Sequence, residues 1–389
     1  MTTQTPWQTY QPNAFAPGPV PPQPEPPARR QGWGKVALVG LAAGIAGSTL
    51  TLGATSLMTP SPVVVPTPVA SAPANAALTG WADVANKVTP SVVAITVTTT
   101  QGGDAGSGVI WDAAGHVVTN DHVVSAASTG GRIRVTLSNQ HVYDATIVGT
   151  DPTTDLAVLQ ITDPPADLTP IDHTPTQVTV GDDVLAVGNP LGLSGTVTSG
   201  IVSAVDRPVA TSAQSGTSGQ PVVTDAIQTS AAVNPGNSGG ALVDAAGTLV
   251  GINSSIASLS QSSGSQAGSI GIGFAIPTNE VDLIVPQLIS SGVAHHAFLG
   301  VSSADATVDA DGATMTGAGI TQVVAGGPAA SVLQAGDVVT AIDGQTVTGT
   351  ESLVGRVREL PVGQDVMVSY VRGGAVQSAQ VMLGQAPQG

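Results

Sequence analysis

The sequence predicts a mainly β protein in which two packed β-barrels precede a smaller module of strands and one helix. Aromatic residues make up 3% and charged residues 9% of the 389 residues, whereas glycine occurs 48 times. Such a composition favours many short strands joined by glycine turns over long surface helices. About a dozen stretches of period-2 apolar pattern lie between residues 91 and 277, which suits two closed barrels.

The first 34 residues are predicted to be a disordered cytoplasmic tail. Nine prolines lie between Pro6 and Pro27, and the segment has too few apolar residues to form a core. Its proline runs favour polyproline II structure, which either remains solvated or docks into an aromatic groove of another protein.

A membrane-spanning helix is predicted over residues 35–58. Residues 36–58 carry no charge over 23 positions, which is enough to cross a bilayer. Arg29, Arg30 and Lys35 precede this segment, so the positive-inside rule places the N-terminus in the cytoplasm and everything after residue 58 outside. The alternative is a processed segment, since Ala74-Asn75-Ala76 has the small residues of a cleavage site. Residues 59–77 are a semi-rigid linker rich in proline, alanine and valine.

The two barrels are predicted within residues 78–292. Thr79 is expected to cap a short helix over Trp81–Val88, and a second helix with Thr278 as its cap covers Thr278–Ser290. Pro286 is expected to kink or split the second helix. The predicted strands are Val92–Thr98, Ser107–Trp111, His116–Thr119, Ile133–Leu137, Val142–Gly149, Leu156–Ile161, Asp183–Val187, Val197–Val205, Ala226–Thr229, Ala241–Val243, Leu249–Ile252 and Ile270–Ile276.

A separate small α+β domain is predicted over residues 297–385. It combines short strands with one helical stretch near Thr350–Glu359. The whole chain has a net charge of −16, so it has no basic stripe for nucleic acid. It contains no cysteine, which excludes disulfides, metal–thiolate sites and thiol catalysis. No cofactor and no metal are expected.

One serine stands in a glycine-rich turn immediately before a predicted strand. In Asn234-Pro-Gly-Asn-Ser-Gly-Gly240, glycines flank Ser238 and leave its hydroxyl exposed, with backbone N–H groups directed to one point. This arrangement suits the nucleophile of an acyl transfer, although serine and glycine are also common in ordinary turns. The upstream partners therefore decide between these two interpretations.

Two upstream residues complete the set that a serine nucleophile needs. A serine hydroxyl requires a base, and the base requires a group that orients it. His122 follows a strand in TNDHVV, and Asp155 opens the apolar strand LAVLQI. The order His122, Asp155, Ser238 matches the chymotrypsin arrangement and differs from the subtilisin and α/β-hydrolase orders.

Together these segments resemble the high-temperature-requirement A (HtrA or Deg-type) serine proteases, in a membrane-anchored bacterial form. The motifs that carry the resemblance cover nearly all of residues 80–290, in order. They are TPSVVAI (89–95), GSGVI (106–110), TNDHVV (119–124), DPTTDLAVLQI (151–161), VGNPLGL (187–193), TSGIVSAVDR (198–207), AIQTSAAVNPGNSGGALV (226–243), VGIN (250–253) and IGFAIP (272–277). From FLGV (298–301) through AGGPAASVLQAGDVVTAIDGQTV (325–347), the chain resembles the PDZ domain of that family.

The resemblance implies a chymotrypsin-like double β-barrel with the active site between the barrels. His122 would be the general base, Asp155 its orienter and Ser238 the nucleophile. The oxyanion hole would be formed by the loop of Gly236, Asn237 and Ser238 through the N–H groups of Gly236 and Ser238.

The resemblance also implies binding surfaces. Substrate backbone would pair with the strand containing Ile252, Asn253 and Ser254, and Ile272 and Phe274 would line a pocket for small or medium aliphatic side chains. At the PDZ domain, Phe298, Leu299, Gly300 and Val301 would receive peptides with hydrophobic C-termini.

The predicted function is a membrane-anchored endopeptidase that cleaves misfolded or regulatory proteins outside the cytoplasm under PDZ control. Family members are commonly trimers, for which Trp81 is the candidate contact, so a homotrimer is expected. The alternative is a catalytically silent PDZ-containing chaperone or scaffold. Three positions depart from the family pattern: Ser230 replaces an aspartate, Asp121 lies beside His122 with a side chain expected to face solvent, and Pro286 interrupts the helix before the PDZ domain.

Overall fold

The computed structural model describes residues 80–100, 102–190, 195–211, 222–255, 269, 271–310 and 312–387. All of them belong to one compact unit, Asn75–Gly389. The predicted tail (1–34), membrane helix (35–58) and linker (59–77) lie outside the described residues. Within the described ranges, every helix is too short or too polar to cross a bilayer.

The first barrel closes from six antiparallel strands in the order β1-β2-β3-β6-β5-β4. Valine and isoleucine side chains at alternate positions fill its interior, as the period-2 pattern predicts, and closure leaves no free strand edge. The strands are β1 (Val92–Thr99), β2 (Gly102–Ile110), β3 (His116–Thr119), β4 (Arg132–Thr136), β5 (Val142–Asp151) and β6 (Leu156–Ile161).

The second barrel also has six strands, in the order β10-β11-β12-β9-β8-β7. Its strands are β7 (Asp183–Gly188), β8 (Thr196–Thr211), β9 (Val222–Thr229), β10 (Ala241–Val243), β11 (Leu249–Ser254) and β12 (Gly273–Pro277). The largest differences from the predicted bounds are at β2, which begins at Gly102 where Ser107 was predicted, and at β8 and β9. The last two pair with each other as far as Thr211 and Val222, beyond the apolar stretches that predicted them.

A shared apolar core joins the two barrels. Trp111 of the first barrel and Leu185 of the second lie in one buried cluster with residues of two helices, α1 (Trp81–Val88) and α3 (Thr278–Ser291). This continuous core holds the facing sides of the barrels at a fixed distance, which a site assembled from both barrels requires.

Helix α1 has the predicted bounds, but its N-cap is Gly80 and not the predicted Thr79. Helix α3 ends one residue later than predicted and differs from prediction in two further respects. The N-cap of α3 is Pro277, and the hydroxyl of Thr278 instead donates a 3.0 Å hydrogen bond to the carbonyl of Leu249. Pro286 lies inside an unbroken helix, so the predicted split is wrong. The proline ring is exposed, so water can satisfy the carbonyl of Asp282 that the missing N–H leaves free.

Two short elements follow β3. A single helical turn, α2 (Asp121–Val124), leads directly into a 3-10 turn over Ser125–Thr129. His122 is the second residue of α2, so the strand end and the helical turn together set the direction of its side chain.

The PDZ region is built on a sheet in the order β14-β15-β16-β18-β19, with β17 paired to β16. Helix α4 (Thr350–Arg358) ends one residue before the predicted stretch. The strands are β13 (Ala297–Phe298), β14 (Val301–Ala310), β15 (Ala313–Val323), β16 (Val338–Ile342), β17 (Gln345–Thr346), β18 (Asp365–Arg372), β19 (Ala375–Met382) and β20 (Gly384–Gln385).

Helix α4 contacts the second barrel through two arginines. The guanidinium of Arg356 lies 3.1 Å from a carboxylate oxygen of Asp206 on β8 and 3.2 Å from one of Asp225 on β9. Arg358 donates a 3.3 Å hydrogen bond to the carbonyl of Val223. Glu359 is also close, 3.8 Å from Arg356, so three carboxylates share one guanidinium.

Burial controls the charge of this cluster. It raises the pKa of Asp225 to about 6 despite the opposing effect of Arg356, and it raises the pKa of Glu359 to about 8 with help from Asp225. A carboxyl whose pKa is raised by folding binds protons more tightly in the folded state, so its contribution to stability falls as pH rises towards the folded pKa.

Replacing Glu359 with glutamine should therefore reduce the loss of stability between pH 5 and pH 9. The wild-type carboxyl is protonated at pH 5 and ionises near Asp206 and Asp225 as the pH passes about 8, whereas the amide stays neutral. Thermal unfolding of the full-length chain at pH 5, 7 and 9 measures the effect. The exposed Glu351→Gln on the same helix is the control, and an identical pH dependence in Glu359→Gln and wild type would contradict the assignment.

Candidate active site

The loop that carries Ser238 is shaped by two glycines with positive φ. The N–H of Asn237 donates a 2.9 Å hydrogen bond to the carbonyl of Asn234, which closes a turn with Gly236 at φ +98°. That position of a type II turn favours glycine. Gly239 has φ +81°, and a side chain there would collide with the carbonyl oxygen of Ser107. The glycines are therefore required by both conformation and space.

Ser107 of β2 holds this loop from the opposite barrel. Its hydroxyl donates a 2.6 Å hydrogen bond to the carbonyl of Gly236 and accepts one of 2.8 Å from the N–H of Asn189. Its own N–H donates to the carbonyl of Ser238 at 2.8 Å. Sequence reasoning did not assign Ser107 a role. The available signal was a serine directly before the apolar run of its strand, where a buried hydroxyl needs polar partners.

Two backbone N–H groups of the loop, those of Gly236 and Ser238, have no acceptor within the described part of the chain. The N–H of Asn237, by contrast, is used in the turn. Asn237 therefore separates the two donors without adding a third. Ser107 holds the carbonyl of Gly236, so the Gly236–Asn237 peptide between the two N–H donors is fixed. A pair of N–H groups that binds an anion requires such a fixed backbone.

The carboxylate of Asp155 binds His122 at two points. Both of its oxygens lie 2.9 Å from Nδ1 of the imidazole, and Oδ1 also accepts a 3.0 Å hydrogen bond from the N–H of His122. An ionised carboxylate only accepts, so Nδ1 carries the proton and Nε2 of the neutral ring is left as an acceptor. The arrangement fixes both the tautomer and the orientation of the ring.

Asp155 reaches this position through an unusual backbone. Its φ is +60°, in the left-handed region that aspartate tolerates better than most residues. Two donors hold its carbonyl, the side-chain amide of Asn120 at 3.0 Å and the N–H of Asp121 at 3.1 Å. Asn120 and Asp121, which directly precede His122, therefore hold Asp155 in the position from which it orients the His122 ring.

Asp121 is buried, so the expectation that its side chain faces solvent is wrong. Burial, together with the nearby carboxylates of Asp155 and Asp151, raises the pKa of Asp121 to about 6. The helical turn α2, which carries Asp121, packs against β2 and β5. A carboxyl group that is partly protonated near neutral pH therefore lies beside the imidazole.

Two consecutive serines at the end of β11 connect Asp155 with Ser238. Ser254 donates a 3.3 Å hydrogen bond to Oδ2 of Asp155. The next residue, Ser255, donates its N–H to the hydroxyl of Ser238 at 3.1 Å, and the two serine hydroxyls are also hydrogen-bonded to each other. In the described part of the chain, the hydroxyl of Ser238 makes no hydrogen bond to His122, so it is held by Ser255 in this state.

The five predicted substrate-binding residues lie on β11 or in the β12 region. The backbones of Ile252 and Asn253 are already paired between neighbouring strands, with Asn253 bonded to Gly239 and Gly240. Substrate pairing is therefore not available at those two positions, and Ser254 is the first residue at the open end. Phe274 is buried at 9% exposure, whereas Ile272 is 38% exposed.

The predicted PDZ residues lie at the start of an edge strand. Phe298 is half-buried in β13, which pairs with β20, and Leu299 is buried in the core of the domain. Gly300 has φ +80° and Val301 opens β14, whose partner on one side is β15. The other side of β14 faces α4, where Asp305 accepts a 2.8 Å hydrogen bond from the N–H of Thr350.

One group of three carboxylates has atoms close enough together for a shared cation, within the described ranges. It is the cluster of Asp206, Asp225 and Glu359, whose atoms lie within 4.8 Å of one another. Arg356 already lies among them, so the site is compensated by a guanidinium.

The chain matches two family models, the trypsin-like peptidase domain over residues 106–252 and the PDZ domain over residues 268–383. It is 41% identical to the serine protease PepD of Mycobacterium tuberculosis over 369 residues, which covers 91% of this chain and 78% of that protein. It is 39% identical to the periplasmic serine endoprotease DegP of Escherichia coli, with 73% and 57% covered.

Solved structures show the same likeness. The HtrA-type protease AlgW with a tripeptide superposes with a TM-score of 0.58 at 35% identity, covering 79% of this chain and 98% of that one. The serine endoprotease from Yersinia pestis gives a TM-score of 0.53 at 30% identity, with 79% and 98% covered.

Replacing Ser107 with alanine should lower both stability and the reactivity of Ser238. The change leaves the carbonyl of Gly236 and the N–H of Asn189 buried without a partner, at a cost of about 1–3 kcal/mol each. Urea unfolding and the rate of Ser238 acylation by a chromogenic ester measure the two effects. Ser128→Ala, at an exposed serine that bonds only within its own turn, is the control. Unchanged stability and acylation in Ser107→Ala would contradict the bridging role.

Proposed function

Because the chain belongs to the HtrA-type serine proteases and is a serine endopeptidase with a PDZ domain, we propose that His122, Asp155 and Ser238 carry its reaction. The observation that supports this assignment is that two consecutive serines contact two of the three residues, Asp155 and Ser238. Ser254 binds Asp155 and Ser255 binds Ser238, while Asp155 holds His122, so all three residues belong to one site.

The reaction begins when the hydroxyl of Ser238 turns from Ser255 towards Nε2 of His122. The oxygen attacks the scissile carbonyl as His122 takes its proton, and the N–H groups of Gly236 and Ser238 bind the oxyanion. His122 then protonates the departing amine and leaves an acyl-enzyme. A water molecule hydrolyses this ester by the same steps, with His122 first as base and then as acid.

Each part of the site contributes to stabilising the charge that develops in this sequence. One oxyanion donor accounts for about 3 kcal/mol of transition-state stabilisation in serine proteases. Asp155 stabilises the imidazolium that forms on His122, because both of its oxygens lie 2.9 Å from Nδ1. Ser255 competes for the hydroxyl of Ser238, so the arrangement is a resting state that substrate must displace.

The substrate chain is proposed to pair with the backbone from Ser254 onwards. Ser254 is the last residue of β11, and its neighbour Ser255 contacts the nucleophile. Phe274 lies opposite Ser254 in the strand pairing, and Ile272 directly precedes that strand. Aliphatic side chains of small or medium size before the scissile bond suit this position.

The PDZ domain is proposed to bind extended peptides with hydrophobic C-termini and to regulate cleavage. Its β14 has one side unpaired in the sheet, which allows a peptide strand to add beside it, next to Phe298–Val301. Helix α4 faces this edge at Thr350 and contacts the second barrel through Arg356. A peptide that moves α4 therefore acts on β8 and β9 of the protease directly.

The physiological substrates are proposed to be misfolded or regulatory proteins outside the cytoplasm, including proteins at the membrane. Anchoring through residues 35–58, with a cytoplasmic tail and extracytoplasmic protease and PDZ domains, rests on the uncharged length and the preceding basic residues. A homotrimer is proposed through the region of Trp81, whose ring is half-buried against the shared core and leaves the remaining surface for a second copy.

Replacing Ser238 with alanine should abolish casein hydrolysis by the purified full-length chain. Loss of the nucleophile lowers kcat by a factor on the order of 10⁴ or more in serine proteases. A peptide with a hydrophobic C-terminus should stimulate the wild type, and the same peptide with an amidated C-terminus serves as the control. A folded wild type without cleavage in any condition would favour the alternative of a catalytically silent chaperone or scaffold.

Anchoring and assembly can be checked on the same preparation. The full-length chain should stay with membranes through alkaline carbonate washing and be released by detergent, because a spanning helix does not leave the bilayer on loss of charge contacts. In detergent it should sediment as a trimer. Release by carbonate would contradict the anchor, and a clean monomer would contradict the trimer. Trp81→Ala tests the proposed contact.

A further inference from the structure

A buried histidine outside the proposed catalytic set lies against the loop that carries Asp155. His296 belongs to the segment between α3 and β13, directly before the PDZ sheet. Its Nε2 lies 2.9 Å from Oδ2 of Asp151, and the side chains of His296 and Asp151 are only 12% and 5% exposed. Nδ1 of the ring has no hydrogen-bond partner among the described residues, and the 2.9 Å approach of Nε2 to Asp151 is a close polar contact without the alignment of a good hydrogen bond.

Asp151 in turn organises the turn that ends at Asp155. It is the last residue of β5 and pairs across the hairpin with Leu156. Its Oδ1 accepts a 3.1 Å hydrogen bond from the N–H of Thr153, and its Oδ2 accepts one of 2.5 Å from the hydroxyl of Thr154. These bonds fix the residues between Asp151 and Asp155, and so they support the positive φ through which Asp155 reaches His122.

The segment of His296 is fastened on both sides, so it can transmit a displacement. On the protease side, the N–H of His295 donates a 2.9 Å hydrogen bond to the side chain of Gln287 in α3. On the PDZ side, the N–H of Ala386 donates one of 2.9 Å to the carbonyl of His296, beside the pairing of β13 with β20. A side chain on Gly149 of β5 would collide with the backbone of Gly292, so β5 and the end of α3 are in close contact.

The charges around Asp151 make the pairing with His296 important. Asp121, Glu280 and Arg358 are within electrostatic range from α2, α3 and α4. Contact with His296 and the bonds from Thr153 and Thr154 hold the pKa of Asp151 below its usual value even though burial opposes this. Without the histidine, the buried carboxylate of Asp151 would lose a polar partner 2.9 Å away, which is costly in a poorly solvated site.

We propose that His296 is a positioning residue for catalysis, acting through Asp151 and the Asp151–Asp155 turn on the carboxylate that orients His122. The inference rests on the proposed function, since it takes Asp155 as the partner of the catalytic base. It connects the start of the PDZ domain through Asp151 to Asp155, separately from the contact between α4 and the second barrel.

The test compares His296→Ala and His296→Gln in the full-length chain. The substrate is an internally quenched peptide with an amidated C-terminus, which keeps the PDZ groove out of the reaction, and active sites are titrated so that rates refer to folded enzyme. His296→Ala should lower kcat about tenfold or more with KM unchanged, since a displaced catalytic group costs rate before it costs binding. His296→Gln keeps an N–H donor for Asp151 and should recover most of kcat.

Matched variants separate positioning from simple stabilisation. The exposed His141→Ala should leave kcat unchanged, and Asp151→Asn combined with His296→Ala should cost little more than either change alone. Wild-type kcat in titrated His296→Ala, with only the melting temperature lowered, would overturn the inference. Additive effects of the two changes would also overturn it. Activity that survives in Ser238→Ala would instead contradict the proposed function, whatever the His296 variants do.

Discussion

The rest of the site depends on one interaction, the contact of the Asp155 carboxylate with the imidazole and backbone of His122. It sets the tautomer of the ring and leaves Nε2 as an acceptor. It also requires Asp155 to adopt a positive φ, which the protein stabilises by binding its carbonyl with Asn120 and Asp121 and its turn with Asp151. The strain and its supports lie within the first barrel, so His122 and Asp155, the proposed base and its orienter, are held together by one part of the fold.

Ser238, the proposed nucleophile, lies on the second barrel and is matched to that unit across the interface. Ser107 of the first barrel is the main polar link. It donates hydrogen bonds to the carbonyls of Gly236 and Ser238, on either side of Asn237 in the second barrel. The shared apolar core around Trp111 and Leu185 also fixes the distance between the two barrels. Assembly of the site is therefore coupled to packing of the two barrels, whereas the smaller contact with Ser255 holds the Ser238 hydroxyl away from His122 in this state.

The sequence predicts structure best where the local pattern of residue types allows only one conformation or one buried face. Period-2 apolar runs predicted the strands because each barrel buries one face of every strand, and the glycines around Ser238 were recognisable because their backbone conformation excludes side chains. Ser107 and His296 could not be found in this way, because their partners are distant in sequence. Asp151 bonds Thr153 and Thr154 nearby, but its contact with His296 is likewise distant. Asp121 was placed on the surface because a charged residue beside an exposed imidazole usually is, yet tertiary packing buries it. Pro286 is tolerated because its ring faces solvent.

The central claim is that Ser238 is the single activated serine of this protease, and active-site labelling tests it most directly. The full-length chain would be treated with a fluorophosphonate, which reacts with a serine only when a neighbouring base activates it. Labelled peptides would then be mapped by mass spectrometry. The account predicts one phosphonylated residue, Ser238, and loss of the label in Asp155→Asn. Labelling of another serine, or equal labelling in Asp155→Asn, would contradict it.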